Sequence, residues 1–424
     1  MTLFKEIKKL LFTESFKYSA ALLSSNAIAQ IIGFVAYIFI TRLYSQETFG
    51  EFNLFLSIAG ILTLFTTGKY ELATVIESSE KKRNALLQLN IFINTAVTII
   101  ASIVIIIGQR YSLFTDKVYF SKLLYFLPLF LFIGGLWQTM NYYFTSQKKY
   151  YNISVYNISQ SLIGSLAKIF LGVKSFLHSG LLYGTFIGQI FGLILSFFKS
   201  GFVFSALKID KKELKSVAKT YSNFPKYELP NELLNNLAGN LPILLLSFYF
   251  DMVQIGLFSL ALSVGFRPIN MFCNSIYQVL FKQISDKVTE KQSIKKDIYT
   301  FCKLCLVGIS PFFIAFMFVS KPVFAFIFSA EWIEAGVYFR YMLPWLFCVV
   351  LVSSLAFIPD LFFKQKTAMN IEIIYVAVRV LALFAGIGLK SFEWAIIFYC
   401  GVSAIMLTVK LIWYFYLVHK YEQK

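Results

Sequence analysis

Apolar stretches of about 20 residues recur along almost the whole chain, and they constrain its fold more than any other feature. A stretch of that length crosses the hydrocarbon core of a bilayer as an α-helix. The 424-residue chain is 58% hydrophobic and only 14% charged. A soluble core cannot bury that much apolar surface. We therefore predict an all-α, polytopic membrane protein.

The apolar stretches predict twelve transmembrane spans. They cover residues 18–42, 50–76, 84–108, 121–145, 153–175, 180–199, 229–250, 254–281, 298–320, 337–363, 368–389 and 392–417. Between the spans, 25 Lys and Arg residues lie on the side of the N-terminus and 7 on the opposite side. Because basic loops stay in the cytoplasm, both termini are predicted to be cytoplasmic. The net charge of +17 then reflects topology and not a nucleic-acid surface.

The first residues form a separate amphipathic segment. In LFKEIKKLLF, which covers residues 3–12, the apolar side chains lie on one face of a helix and the lysines lie on the opposite face. This pattern predicts a helix at the membrane interface that leads into the first span. The apolar run that follows is longer than the core of a signal peptide, which disfavours a cleaved signal.

The two halves of the chain carry the same local motifs in the same order. The paired segments are 50–54 with 256–260, 125–128 with 341–344, and 147–153 with 365–371. We interpret this as a duplication that produces two six-helix bundles, at residues 1–199 and 229–424, joined by a basic cytoplasmic linker at 200–228. Halves with the same orientation are related by a pseudo-twofold axis along the membrane normal, and the substrate site of such transporters lies near the midplane.

Four cations lie deep within predicted spans, where an ionisable side chain is costly and usually faces a cavity or a partner. Arg267 and Arg379 lie near the middles of spans eight and eleven. Lys168 lies near the middle of span five, and Lys69 lies in span two. Deep acids are fewer, so this set predicts a cavity that binds an anion. The alternative is pairing or snorkelling to an interface, which is stronger for the two lysines.

Two acids lie close to these cations in the sequence. Glu71 is two residues from Lys69, and Glu372 is seven residues before Arg379 on the same helical face. Each acid can bind a coupling proton or simply neutralise the neighbouring cation, and the sequence favours neither.

Polar residues also occupy matching places in spans one and seven of the two halves. They are Asn26, Gln30, Asn236 and Asn240. Hydrogen bonding between helices is one interpretation. The other is a portal that admits a polar head group.

Catalytic and cofactor-binding motifs do not emerge from the sequence. It contains no G-x-x-x-x-G-K-[ST] loop, so this chain is not expected to hydrolyse ATP. The five cysteines lie in apolar stretches and the two histidines are far apart, which predicts neither a disulfide framework nor a metal site. Short non-cytoplasmic loops, of which 321–336 is the longest, disfavour a glycosyltransferase or polymerase. We expect a protein that is not an enzyme and needs no cofactor.

Three segments resemble a known family. They are YSNFPKYELPNELLNN at 221–236, continued by Leu241-Pro242 and Arg267-Pro268; FSAEWIEAG at 328–336; and GKYELA at 68–73. These segments are similar to the polysaccharide-transport, Wzx-type O-antigen flippases of the multidrug/oligosaccharidyl-lipid/polysaccharide exporter superfamily. Phe328-Ser329 departs from the Phe-Gly expected at that place.

The resemblance implies a V-shaped transporter in a bacterial inner membrane. Its implied substrate is an undecaprenyl-diphosphate-linked oligosaccharide, which passes from the cytoplasmic to the outer leaflet for O-antigen or another surface polysaccharide. We expect alternating access driven by protons or sodium, with membrane lipids, a polysaccharide polymerase and a chain-length regulator as partners. A multidrug antiporter is the alternative within the superfamily, although drug cations favour deep acids. A non-transporting scaffold for glycan assembly is a third interpretation.

Overall fold

The computed structural model describes residues 14–111, 122–176, 178–198 and 211–423, with side chains from residue 24 onward. Within these ranges the chain is almost entirely helical and contains no strand. It divides into two compact units, Met1–Leu244 and Leu245–Lys424. The predicted interfacial helix at 3–12 and the first part of the linker at 200–210 lie outside the described residues.

The first unit contains eight helices in the ranges that the structure describes, and a ninth crosses into the second unit. They are α1 (Glu14–Leu43), α2 (Gln46–Thr63), α3 (Tyr70–Ile76), α4 (Glu80–Arg110), α5 (Leu127–Ser146), α6 (Tyr150–Val173), α7 (Gly180–Phe198), α8 (Lys211–Thr220) and α9 (Leu229–Tyr249). The second unit continues with α10 (Met252–Thr289), α11 (Lys295–Leu304), α12 (Ser310–Phe328), α13 (Ile333–Ser354), α14 (Ile358–Leu361), α15 (Gln365–Gly388) and α16 (Phe392–Glu422).

Nine helical segments among the described residues are long and apolar enough to cross a membrane. They correspond to nine of the twelve predicted spans. The helices of spans two, five and seven are not among the nine, and these are the helices that carry many of the polar residues singled out above. The prediction of an all-α, polytopic membrane protein is confirmed.

Predicted span two is interrupted in the structure. The sequence predicts one helix over 50–76, but α2 ends at Thr63 and α3 begins only at Tyr70. Gly68 and Lys69 between them have φ angles of 57° and 66°, in the left-handed region. Glycine adopts this conformation without strain, and its cost at the lysine must be met by the surrounding structure. The Thr63 carbonyl at the end of α2 accepts hydrogen bonds from the Thr66 amide at 3.1 Å and from the Thr66 hydroxyl at 2.6 Å.

Close helix packing in the first unit depends on small residues. The glycines of α7 recur at every fourth position from Gly180 to Gly192, which places them on one face of the helix. A Cβ atom at Gly188 would lie only 2.7 Å from the Cα of Gly164 on α6. Asn152 and Ser196 then exchange side-chain to backbone hydrogen bonds of 2.8 and 3.0 Å between the same two helices. This is the small-residue packing typical of membrane helices.

The described part of the linker packs on the first unit. Val217 of α8 is 1% exposed and clusters with Ala73, Ala85 and Leu86 of α3 and α4. The Tyr70 hydroxyl donates to the Ala218 carbonyl at 3.0 Å. Helix α8 is therefore attached directly to α3, the short helix that follows the break.

A second attachment joins the loop after α3 to the residues after α8. The Tyr221 hydroxyl donates to Glu77 Oε2 at 2.7 Å, and the Ser79 amide donates to Glu77 Oε1 at 2.8 Å. The bond from the Ser79 amide, supported by the one from Tyr221, holds the pKa of Glu77 below its ordinary value. Glu77 is therefore ionised at neutral pH, and its carboxylate binds Tyr221 of the linker in that form.

In the second unit, α13 packs against α10, α12 and α16. Met342 and Leu346, one turn apart on α13, are completely buried. Helices α15 and α16 form a close hairpin, in which a Cβ atom at Gly386 would lie 2.8 Å from the Cβ of Ala395. Trp345 of α13 contacts Tyr399 of α16, with the ring centroids 5.4 Å apart.

Candidate functional site

The predicted site residues lie in both units, and in the first unit the structure brings Lys69 and Glu71 together. In the first unit, the break between α2 and α3 places Lys69 and Glu71 inside the helical bundle. Glu71 is completely buried, and the Lys69 side chain is 9% exposed. Two ionisable groups this deep in a membrane protein are costly, and such groups usually mark a functional site.

Glu71 is bound on one side only. Gln138 of α5 donates from Nε2 to Glu71 Oε1 at 2.6 Å. The Lys69 ammonium lies 3.9 Å from the same oxygen, an ion pair that is too long for a hydrogen bond. The other oxygen, Oε2, is buried and has no hydrogen-bond partner within the part of the chain that the structure describes.

Helix α4 brings two buried asparagines to the same region. Asn90 and Asn94 are one turn apart and are both completely buried. Asn94 Nδ2 donates to the Phe132 carbonyl of α5 at 2.9 Å. A Cβ atom at Gly135 would lie 2.6 Å from Asn94 Cγ and 2.8 Å from Thr66 Cβ. Helix α4, helix α5 and the break therefore meet at Gly135.

The polar residues of span one lie against α6. Asn157 donates from Nδ2 to Asn26 Oδ1 at 2.8 Å, and the Ser161 hydroxyl donates to the Ala29 carbonyl at 2.6 Å. Gln30 is exposed. The bond to Asn26 is a hydrogen bond between two helices. The exposed side chain of Gln30 is accessible to a ligand.

The polar residues of span seven lie near α2. Asn240 Nδ2 donates to the Asn236 carbonyl within α9 at 3.0 Å. A Cβ atom at Gly60 would lie 3.8 Å from Asn240 Nδ2 and 3.9 Å from Asn236 Oδ1. The two polar pairs of the predicted portal therefore contact different helices of the first unit.

Lys168 lies where α6 approaches its neighbours. Its ammonium lies 5.4 Å from the ring centroid of Phe52, a cation–π contact. Its carbonyl accepts a hydrogen bond of 2.7 Å from the Tyr44 hydroxyl. The side chain is half-buried. These contacts fit a lysine that packs its stem among aromatic residues.

In the second unit, Arg379 lies within a group of three aromatic rings. Its guanidinium carbon is 4.3 Å from the ring centroid of Tyr399, 4.7 Å from Tyr375 and 5.2 Å from Trp345. Arg379 is 8% exposed. Its Nε and the indole Nε1 of Trp345 are buried donors without a hydrogen-bond partner in the described ranges. We refer to Arg379 and these three aromatic residues as the arginine box.

Glu372 does not pair with Arg379 in the structure. Its Oε2 accepts from the Lys410 ammonium of α16 at 2.7 Å. Arg379 forms no ion pair with any described acid. Arg267 is half-buried on α10, directly before Pro268. Of the predicted cations, Arg379 is thus buried without a carboxylate to neutralise it.

Sequence reasoning missed most of the partners of the predicted site residues. Asn90, Asn94 and Gln138 carried a signal, since each is a polar residue inside an apolar span. Trp345 and Tyr399 carried none, because aromatic residues are common throughout this chain. Among the residues that the structure describes, no three His, Cys, Asp or Glu side chains come close enough to hold a metal ion together.

Comparison with known proteins adds to these observations. No curated protein matches this chain. The structure is similar to that described as Lipid II flippase MurJ in an inward closed conformation, with a TM-score of 0.70 and 16% identity over 94% of this chain and 87% of that one. It is also similar to an inward-facing multidrug resistance MATE transporter of the MOP superfamily, with a TM-score of 0.62 and 13% identity over 96% and 99% of the two chains.

Because the identities are low, these similarities establish the fold alone. The sequence itself matches the model of a family described as polysaccharide biosynthesis protein, Polysacc_synt_3, over residues 39–336. That segment is well over half of the chain and includes the break, the linker and most of the helices described above. The chain belongs to this polysaccharide biosynthesis protein family and has the fold of the MOP-superfamily transporters.

Proposed function

We propose that this protein moves an undecaprenyl-diphosphate-linked oligosaccharide from the cytoplasmic to the outer leaflet of a bacterial inner membrane. The family match supports a role in polysaccharide biosynthesis, and the similarity to a lipid II flippase supports a lipid-linked substrate. We further propose that residues 1–199 and 229–424 are the two halves of the transporter. Both termini are cytoplasmic in this proposal, which rests on the distribution of basic residues.

The arginine box carries the proposal of an anionic substrate. A guanidinium without a carboxylate is expensive to bury, and an incoming anion would offset part of that cost. The arginine presents a planar set of N–H donors that suits the oxygens of a diphosphate. The three aromatic faces already surround this guanidinium, so they are not available to an organic cation. This observation favours the flippase over a multidrug antiporter.

The aromatic rings have a second consequence for Arg379. Contacts on the faces of the guanidinium hold its plane while leaving the N–H groups on its edges to bind a ligand. Trp345 Nε1 is a further unpartnered donor in the box. We propose that Arg379 binds one phosphate of the diphosphate and that Trp345 adds a neutral hydrogen bond. Arg267, Lys168 and Lys69 supply additional positive charge in their respective units.

Transport in this proposal occurs by alternating access, driven by a gradient of protons or sodium. The substrate and the ion each shift the equilibrium between facing states only through their different affinities for those states. Glu71 is the preferred coupling acid, because its Oε2 has no hydrogen-bond partner among the described residues, whereas Glu372 is paired with Lys410 at 2.7 Å. A polysaccharide polymerase and a chain-length regulator are the proposed partners that use the flipped product.

The test is flipping of a lipid-linked oligosaccharide by purified protein in proteoliposomes. Charge-assisted hydrogen bonds contribute about 1.5–3 kcal/mol, so Arg379→Ala should lower the apparent affinity or rate about ten- to a hundredfold. Arg379→Lys should retain part of the activity. Arg340→Ala is the matched control, because Arg340 is an arginine of the same unit outside the box. Equal flipping by Arg379→Ala and the control would contradict the role of the box.

A further inference from the structure

The strongest unexplained feature of the first unit is a set of buried oxygen atoms without hydrogen bonds. Glu71 Oε2, Thr67 Oγ1, Asn90 Oδ1 and Asn94 Oδ1 all lack a partner among the described residues. Their residues are all completely buried. Unsatisfied buried polar groups are rare in folded proteins, and a group of them indicates a bound water or ion.

Contacts at both ends of this set place its residues beside one stretch of α4. One turn before Asn90, Leu86 of α4 packs with Ala73 of α3. One turn after Asn90, Asn94 contacts Gly135, which also contacts Thr66 at the break. Asn90 is therefore enclosed between two contacts on one face of α4, which are about 12 Å apart along that helix.

The remaining members lie within the same interval. Glu71 is two residues before Ala73 and is held by Gln138, which follows Gly135 by three residues on α5. Thr67 directly follows Thr66. Residues that carry a carboxylate, a hydroxyl and two amide oxygens without partners are thus grouped around the break between α2 and α3. Unwound backbone beside such a break often coordinates sodium in transporters.

We propose that Glu71, Thr67, Asn90 and Asn94 form a sodium-binding site in the first unit. Ligands that are all oxygen favour a hard cation, and the lack of His or Cys disfavours a transition metal. One carboxylate suits a monovalent ion better than calcium or magnesium. This inference deepens the proposed function, because it identifies sodium as the coupling ion and names its site.

Lys69 determines how tightly the site holds sodium. Its ammonium is 3.9 Å from Glu71 Oε1, whereas the sodium ligand is the opposite oxygen, Oε2. The two cations share one carboxylate and repel each other. Sodium binding therefore weakens the hold of Glu71 on Lys69 and makes that ammonium more available to an anion.

The experiment measures the thermal stability of the purified full-length protein without substrate, in sodium chloride and in choline chloride at equal ionic strength. A ligand that binds only the folded protein raises its unfolding temperature, and the stabilisation grows with the logarithm of one plus the ratio of ligand concentration to Kd. We expect sodium, but not potassium or choline, to raise the unfolding temperature of the wild type. Glu71→Gln and Asn90→Ala should raise the half-saturating sodium concentration at least about tenfold, since the first removes the negative charge of the site and the second removes a ligand.

Three further variants make the test specific. Asn90→Asp replaces an amide oxygen with a carboxylate and should bind sodium at least as well as the wild type, which also covers the case in which Asn90→Ala does not fold. Lys69→Gln removes the competing cation and should lower the half-saturating concentration severalfold. Asn53→Ala is the matched control, because the Asn53 amide is bonded to the Phe49 carbonyl of its own helix at 2.8 Å.

Several results would overturn the proposal. They are the absence of a sodium effect, a sodium effect that Glu71→Gln leaves unchanged, and a stability that depends on pH equally in sodium and in choline. The last result would assign the site to a proton. Binding is measured without a lipid-linked substrate, and Arg379→Ala should keep its sodium response. Failure of the flippase proposal would therefore be seen separately.

Discussion

Replacing Gly135 with alanine should test how tightly the break, α4 and α5 are packed. A Cβ atom at this position would lie 2.6 Å from Asn94 Cγ and 2.8 Å from Thr66 Cβ. Both distances are shorter than real Cβ contacts allow, so at least one neighbour must move. Asn94 is completely buried and bonded to the Phe132 carbonyl, which leaves its amide little room to rotate.

Two effects contribute to the loss of stability expected for Gly135→Ala. Overpacking of this kind costs about 1–3 kcal/mol, and loss of the Asn94 bond to Phe132 costs about 1 kcal/mol more. The expected gain in helix propensity from glycine to alanine, which is about 1 kcal/mol, offsets part of this. We therefore expect Gly135→Ala to destabilise the protein by about 1–3 kcal/mol.

The neighbouring glycine provides the control. A Cβ atom at Gly134 would meet only the Thr63 methyl group, at an ordinary 3.8 Å. Gly134→Ala should therefore be neutral or slightly stabilising. The assay is thermal unfolding of both variants in one detergent, together with their yield from membranes. Equal unfolding temperatures for the two variants would show that the three segments do not meet as tightly as described.

Three further predictions concern the predicted cytoplasmic face. Glu422→Gln should lower stability by about 1 kcal/mol, because this carboxylate accepts backbone hydrogen bonds at the start of α11. These bonds lower the pKa of Glu422 overall, although partial burial raises it. The contribution of Glu422 to stability should therefore be lost as pH falls below about 4.5. Unfolding temperatures measured over a series of pH values check this. Tyr70→Phe should loosen α8 by removing the bond to Ala218, seen as faster hydrogen exchange in residues 211–220. Reporter fusions after Lys215 and Lys420 should both report cytoplasm, and a periplasmic signal at either would contradict the proposed orientation.

The sequence predicted the helical segments well, for a simple physical reason. A membrane requires each crossing helix to be apolar over about 20 residues, so hydropathy alone locates it. The break at residues 64–69 was not predicted, because average hydropathy contains no information about backbone conformation. Thr66, Thr67 and Gly68 interrupt the apolar pattern only briefly.

Pairing between side chains was harder to predict. The sequence placed Glu372 near Arg379 because both lie on one face of a helix. Seven residues correspond to about 10.5 Å along the axis, which is too far for an ion pair between them. Lys410 reaches Glu372 from α16 at 2.7 Å instead. Contacts between helices that are distant in the chain leave no trace in a single sequence.

The buried charged residues of the two units lie in different environments. In the first unit, Lys69 and Glu71 neutralise each other in part, and Glu71 Oε2 and Thr67 Oγ1 are buried without hydrogen-bond partners among the described residues. In the second unit, Arg379 has aromatic contacts but no acid among the described residues. The first environment favours an added cation, and the second favours an added anion.

These different environments bear on how ion binding is coupled to substrate binding. Helix α8 is bonded to Tyr70, which lies between Lys69 and Glu71 in the chain. A change at the break on ion binding would therefore act directly on α8 of the linker. An ion and a substrate that bind in different units can still be coupled, provided that each prefers a different facing state. If the proposed sodium and lipid-linked anion are the two ligands, the coupling must be reciprocal, so that each changes the affinity for the other by the same factor.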